Sequence, residues 1–271
     1  MPDLPLVSVI IPTFNSRRWI REAIDSVLEQ TWRSLEVIVV DDGSTDGTGE
    51  MLQAEYGTAI RYIFQANKGL PAARNAGLRI ARGRYVQFLD ADDVLLPEKI
   101  ELQVTMLEGN PQISVAYSSF AWLSGDPPSI EPARLRRRPP SGDVWADLLR
   151  GNFIVVHAAL ARLDEINAVG GFNEGLPACE DYDLWLRLSA RGALFLHTPE
   201  VGVLYRRTQN SMSTNLMRQI GSNLLVLNRS RTYRKFGAAE WLCYCTQSAW
   251  LWWRSMQVRA FSLVRRGEVP R

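Results

Sequence analysis

The sequence predicts an α/β domain with a mostly parallel sheet flanked by helices. Three observations predict it. Nearly continuous β-branched runs at Leu6-Val7-Ser8-Val9-Ile10-Ile11 and Leu35-Glu36-Val37-Ile38-Val39-Val40 suit strands covered on both faces. Segments of helical periodicity lie between such runs, so strands and helices alternate. Each of three runs ends in a polar cluster: Thr13 to Asn15, Asp41-Asp42, and Asp90 to Asp93. In open sheets of this class ligands bind beyond the carboxyl ends of the strands, so distant carboxylates are expected to converge on one crevice.

The elements follow in order. Pro12 stops the first strand, and Trp19, Ile20, Ala23, Ile24, Val27 and Leu28 then recur at helical spacing, with Asn15 or Ser16 as the expected cap. The second strand ends in the turn-forming Asp41-Asp42-Gly43-Ser44-Thr45-Asp46. A short helix to about Tyr56 and a strand at Ile60 to Phe64 come next. Pro71 to Ala81 has helix-forming content, and Gly83 ends it. A strand then runs into Phe88-Leu89-Asp90-Ala91-Asp92-Asp93. A helix is expected from Pro97 to Glu108, a strand from Ile113 to Phe120, and a loop from Gly125 to Gly142 that carries Arg136-Arg137-Arg138. Asp143 to Arg150 reads as a short helix. Ile154 to Leu160 reads as a strand in which His157 is a core residue with a satisfied hydrogen bond. Val169 to Glu174 is a turn, and Glu180-Asp181 opens a helix whose dipole favours anions there.

Composition narrows the class. The 271 residues suffice for one large domain, or one with an appendage, and 46% apolar with 22% charged residues is ordinary for a globular chain. A net charge of +2 makes no case for nucleic acid. From residue 228 onward, however, nine Arg or Lys face two Asp or Glu, a balance of +7 that leaves −5 for the remainder. Cys179, Cys243 and Cys245 form neither a disulfide framework nor a zinc pattern, which fits a reducing, cytoplasmic setting. Met1 to Pro5 lacks the features of a signal peptide, and no run of 18 apolar residues is present.

Three carboxylates within four residues repel one another unless they are solvated or share a divalent cation. Asp90 and Asp92 read as Asp-x-Asp, hard oxygen donors suited to Mg²⁺ or Mn²⁺ beside a phosphate-bearing substrate.

Five stretches in order then resemble the family 2 glycosyltransferases, inverting enzymes with the GT-A fold, a Rossmann-like mixed sheet. They are Val9-Ile10-Ile11-Pro12-Thr13-Phe14-Asn15, Val39-Val40-Asp41-Asp42-Gly43-Ser44-Thr45-Asp46, Asn67-Lys68-Gly69-Leu70-Pro71-Ala72-Ala73-Arg74-Asn75, Phe88-Leu89-Asp90-Ala91-Asp92-Asp93, and Gly170-Gly171-Phe172 with Glu180-Asp181-Tyr182-Asp183-Leu184-Trp185. The resemblance covers residues 6 to 210. It implies a nucleotide pocket of Pro12, Thr13, Asn15, Asp41, Asp42, Asn67, Arg74, Asp90 and Ala91. It implies metal binding by Asp92 with Asp90, a general base at Asp181, and an acceptor or donor-sugar side at Glu180 and Trp185. The activity implied is transfer of a sugar from a nucleotide sugar, most readily a UDP-sugar, to a hydroxyl of a glycan or lipid-linked acceptor. Surface-polysaccharide synthesis is the setting implied, with Mn²⁺ or Mg²⁺ as cofactor.

One position departs from the family's pattern. Many relatives have a Tyr-Arg-x-His whose His helps bind metal or diphosphate, and here Tyr205-Arg206-Arg207-Thr208 puts a threonine there. Arg206 or Arg207 is expected to compensate by pairing with the diphosphate. The alternative is a non-catalytic nucleotide-sugar or glycan-binding protein that keeps the fold. A nucleotidyltransferase would open with a Gly-rich loop instead of Pro12-Thr13-Phe14-Asn15.

The expected boundary falls at residue 215. Residues 1–215 form the catalytic domain, and 216–271 form a helical, basic and aromatic extension. Within 236–266, Trp241, Trp250, Trp252 and Trp253 with Arg254, Arg259, Arg265 and Arg266 suit the bilayer interface. Peripheral contact with the inner face of the cell membrane is one expectation, and a helix packed back on the domain, or a dimer contact, is the other.

Overall fold

Strand β1 (Val7–Thr13) is buried along its whole length, because it is hydrogen-bonded on both edges and covered on both faces. The computed structural model describes residues 4–125, 127–133, 139–208 and 215–266, with side chains as far as Val258. On one edge β1 runs parallel to β2 (Leu35–Asp41), which pairs with β3 (Arg61–Phe64). On the other it runs parallel to β4 (Tyr85–Phe88). Beyond β4 the sheet becomes mixed. β8 (Ala159–Arg162) is antiparallel to β4 and to β6 (Ile113–Ser124), β6 is parallel to β9 (Leu194–Arg206), and β5 (Val94–Leu95) closes the row antiparallel to β9.

Alternation along the strands builds two cores. Val9 and Ile11 face α1 (Ile20–Leu28) and α4 (Lys99–Gly109), packing with Ile24, Val39, Leu52 and Val104. Ile10, Ile38, Val86 and Phe88 face the other way, against α3 (Leu70–Ile80), α5 (Trp145–Leu148) and α7 (Glu180–Ala190). Ile220, Val226 and Leu227 of α8 (Leu216–Ser230) and Cys243 and Leu251 of α9 (Ala238–Arg266) join that second core, beside Trp145 and Trp185. Among the described residues no helix is long and apolar enough to cross a membrane.

Three local expectations are corrected. Neither Asn15 nor Ser16 caps α1 with its side chain. The Ser16 carbonyl accepts from Trp19 and Ile20, while the Asn15 side chain turns to the neighbouring loop. The segment 125–142 contains a strand, β7 (Ser129–Pro132), paired with the end of β6; Arg136-Arg137-Arg138 lie outside the described residues. The stretch 154–160 is not one strand, because a 3-10 turn at Val156–Ala158 precedes β8 and turns His157 out of the strand register.

Candidate active site

The crevice is assembled from the carboxyl ends of β1, β2 and β4. Asn15 has a left-handed backbone (φ 50°). Its Oδ1 accepts from Thr45 N at 2.8 Å, and its own N donates to Ser44 Oγ at 2.9 Å. Asp42 N donates to Thr13 O at 2.8 Å, which ties the loops after β1 and β2 together. Asp41 is buried, with Oδ1 accepting from Ser44 N (2.7 Å) and Oδ2 from the Tyr62 hydroxyl (2.8 Å). Pro12 and Thr13 are buried beneath this rim, and Thr13 Oγ1 has no partner among the described residues. Asn67 is exposed and crosses over Gly43, where a Cβ would meet Asn67 N at 3.0 Å; with φ at +87°, Gly43 is required on both counts.

Asp42 aims α3. Its Oδ1 accepts from Gln65 Nε2 and Lys68 N (2.7 and 2.9 Å), and its Oδ2 from Gly69 N (2.7 Å), at the N-terminal end of that helix. We expect Asp42→Ala to cost at least about 2 kcal/mol, since three hydrogen bonds to a buried carboxylate are lost together. Urea denaturation measures it, and a loss near zero would show that the 65–69 loop is held otherwise.

The helix so placed delivers Arg74, which is almost fully buried, with 1% of its side chain exposed. Its Nη2 donates to Asp90 Oδ1 at 2.6 Å and its Nη1 to Glu180 Oε1 at 2.5 Å. The guanidinium also lies 5.2 Å from the Phe172 ring centre. One side chain thereby joins the Asp-rich strand end to the acidic start of α7. Burial pushes Asp90 up, but the charge of Arg74 and its hydrogen bond outweigh it, leaving the carboxyl below the usual range. Asp92 has no such guanidinium, and burial with the Asp90 charge raises it to about 6. Ala91 between them is buried.

At the head of α7, Cys179 takes a left-handed conformation (φ 62°) and Glu180 turns inward to Arg74. Asp181 is half-buried; its Oδ1 accepts from Tyr182 N (2.7 Å) and its Oδ2 from Asn152 Nδ2 (3.1 Å). Burial first, and then the Glu180 charge, push its pKa up to about 7. A carboxyl with that pKa exchanges a proton readily near neutral pH, which is what a general base requires.

Two candidates sit elsewhere than expected. Trp185 is fully buried, with its indole N–H donating to Ile154 O at 3.1 Å, so it is a core residue and does not reach a sugar. Arg206 is a brace. Its Nε donates to Asp92 O (2.8 Å), its backbone N to Asp93 Oδ1 (2.7 Å) and its Nη2 to Glu22, and the guanidinium stacks 4.2 Å over Trp19. Buried and committed, it drops out as a diphosphate candidate and leaves the other expected cation, the exposed Arg207, whose guanidinium lies over Trp122 at 4.1 Å.

His157 lies in the core, as the sequence predicts, but without the satisfied hydrogen bond expected of it: neither ring nitrogen has a hydrogen-bond partner among the described residues. Nδ1 lies 3.0 Å from Asp93 Oδ2 and 3.9 Å from Asp90 Oδ2. Gln87 Nε2 holds the His157 carbonyl at 2.8 Å, and Tyr205 meets the ring edge to face at 4.7 Å. Burial drives the imidazole down to about 4, so it is neutral. Burial and the Asp92 and Asp90 charges drive Asp93 well above the usual carboxylate range. Asp90, Asp93 and His157 offer ligand atoms within 4.8 Å of one another. Asp90 is held by Arg74 and Asp93 is walled in, so this trio backs the site. Asp92, with hard oxygens in the crevice, fits a Mg²⁺- or Mn²⁺-class ion.

The comparisons with known proteins give the family and the fold. The model for glycosyl transferase family 2 matches residues 8–153. The chain belongs to that family. An uncharacterized glycosyltransferase of Rickettsia felis is 36% identical over 191 residues, 68% of this chain and 31% of that protein. Chondroitin synthase of Escherichia coli is 31% identical over 236 residues, 84% of this chain and 33% of that protein. The chain thus spans about a third of the length of these curated relatives. Among solved structures, S. aureus TarS 1-349 in complex with UDP-GlcNAc aligns with a TM-score of 0.72 at 18% identity, covering 89% of this chain and 71% of that one. The mannosyltransferase PcManGT from Pyrobaculum calidifontis, in complex with GDP-Man and Mn²⁺, aligns at 0.70 with 20% identity, covering 100% and 77%. At these identities the two structures establish the GT-A fold alone.

Proposed function

We propose that the family 2 chain transfers a sugar, with inversion, from a nucleotide sugar to a hydroxyl of a glycan or lipid-linked acceptor. The observation that carries this reading is the Arg74 bridge, which brings Asp90 and Asp92 into one crevice with Glu180 and Asp181. Thr13, Asn15, Asp41 and Asn67 line the nucleoside end, and Arg207 is the cation for the diphosphate. Asp92 would hold the divalent ion, with Asp90 beside it; bound there, the ion offsets charge building on the leaving diphosphate. Asp181 takes the acceptor proton on the opposite face of the sugar as the acceptor oxygen bonds to the anomeric carbon. The bond from that carbon to the diphosphate oxygen breaks, and the nucleoside diphosphate leaves with the bonding pair. One displacement with one base inverts the centre.

The UDP-GlcNAc in the TarS complex supports a UDP-sugar, and the likeness to chondroitin synthase supports a glycan acceptor in surface-polysaccharide synthesis. The catalytic unit is residues 1–215, with 216–271 as an extension. The enzyme works in the cytoplasm, with peripheral membrane contact through 236–266. A panel of UDP-, GDP- and dTDP-sugars, read by thermal shift with Mn²⁺ and with EDTA, tests the donor. We expect one nucleotide class to bind, only with metal, and not to bind in Asp92→Ala. Metal-dependent binding without any turnover would favour the non-catalytic alternative, which Thr208 in place of the family's histidine keeps in view.

A further inference from the structure

We propose that the corner between α8 and α9 is a binding site for the phosphate of an anionic lipid headgroup, seated at the bilayer by the outer stripe of α9. This deepens the membrane-contact reading above and rests on it. The corner forms an open cleft of about 570 Å³ lined by Asn228, Arg231, Thr232, Lys235, Phe236 and Trp241. Its chemistry is that of an anion site. Two cations, an amide and a hydroxyl supply donors, and two aromatic rings flank them. Neither Arg231 nor Lys235 has an ion-pair partner among the described residues. The Arg231 guanidinium lies 5.4 Å over the Trp241 ring and only grazes Asn228 Oδ1 at 3.5 Å.

The second observation is continuous with the first. One face of α9 packs inward through Cys243, Leu251 and Ser255. The opposite face carries Leu242, Cys245, Ala249, Trp252, Trp253 and Met256, all exposed, with Leu242 at 67% and Trp252 at 61%. Over 14 residues, about 21 Å of helix, this stripe has no charge. Tryptophan-rich apolar faces on helices too polar to span are suited to the headgroup boundary. The charge of this stretch of sequence is one-sided: between Asn215 and Arg266 there are nine arginines and lysines, of which Arg234 pairs with Asp143, and a single acid, Glu240. That complementarity selects an anionic bilayer over a second copy of the same basic face, which would repel.

The test is co-sedimentation of the full chain with vesicles of equal parts phosphatidylcholine and phosphatidylglycerol, and of phosphatidylcholine alone. We expect binding to the anionic vesicles only, weakened about 30-fold in Arg231→Gln with Lys235→Gln, as two interfacial cations are removed. Trp252→Ser with Trp253→Ser should also release the chain. All four residues are exposed, so unchanged thermal melting confirms folded variants. If the tryptophan variant is released but the cation variant binds as the parent does, the headgroup site is overturned and membrane contact stands. If the parent binds neither vesicle, both fall. Inorganic phosphate that strips the chain from vesicles at millimolar level would assign the cleft to a soluble phosphate and overturn the lipid assignment. A dimer in sedimentation velocity that Trp252→Ser dissociates would assign the stripe to a second copy, with the same consequence.

Discussion

Arg74→Ala is expected to lower stability by about 3–5 kcal/mol and to abolish donor binding and transfer together. The guanidinium is buried, and the partners it leaves are themselves partly to largely buried: 11% of the Glu180 side chain and 28% of Asp90 are exposed. Deleting the cation leaves both carboxylates without their charge partner in a low-dielectric crevice, beside Asp92 and Asp181. The loss should therefore shrink as pH falls, because the orphaned carboxyls take up protons and cease to repel. Arg74→Lys should recover only part of it, since one ammonium does not span two carboxylates as the guanidinium fork does. Urea denaturation at neutral and mildly acidic pH, with calorimetric titration of the donor, reads both effects. A loss under about 1 kcal/mol would mean that the bridge is ornamental and that the two halves of the crevice are aligned by packing alone.

Asp181→Asn is the second large effect: transfer should fall by about 10²- to 10⁴-fold with donor affinity little changed. Glu180 and the burial of Asp181 also fix its pH behaviour. With the pKa up at about 7, the parent enzyme should gain activity as pH rises through neutrality and then level off. Glu180→Gln removes the neighbouring charge and should move that limb to lower pH. Stability should run the other way. The ordinary value for this carboxyl is 3.8, so between about 4 and 7 the folded chain holds a proton that the unfolded chain has lost. The native state binds more protons in that window, and stability declines as pH rises through it. Asp181→Asn cannot lose that proton, so it should equal the parent at acid pH and exceed it in melting temperature above pH 7. A variant that is inactive and no more stable at high pH would count against Asp181 as a buried base.

The alternation of strands and helices, and the placing of polar clusters at strand ends, were legible because they follow from local rules. β-branched runs with buried pleats and helical spacing of apolar residues need only a few neighbours in sequence. The crevice was legible for the same reason: parallel strands put their carboxyl ends on one edge, so Thr13, Asp41 and Asp90 had to meet there. What the chain order could not convey was which polar side chains face the crevice and which brace it. Arg74 and Glu180 are 106 positions apart and meet only because α3 and α7 both border the same core. Arg206 looks like a diphosphate cation in sequence, and tertiary contacts with Asp92, Asp93 and Glu22 make it a brace. Trp185 lies within a motif, yet its helix phase turns it into the core. His157 sits in an apolar run that reads as core, and only the 3-10 turn before β8 aims it at Asp93. Sequence by itself determined the class of fold, the family and the set of acidic residues at the site. Burial and long-range charge pairing, which depend on the folded sheet, decided which carboxyl is held ionised by Arg74 and which one, Asp181, is raised to about 7, so that it gives up and takes back a proton near neutral pH.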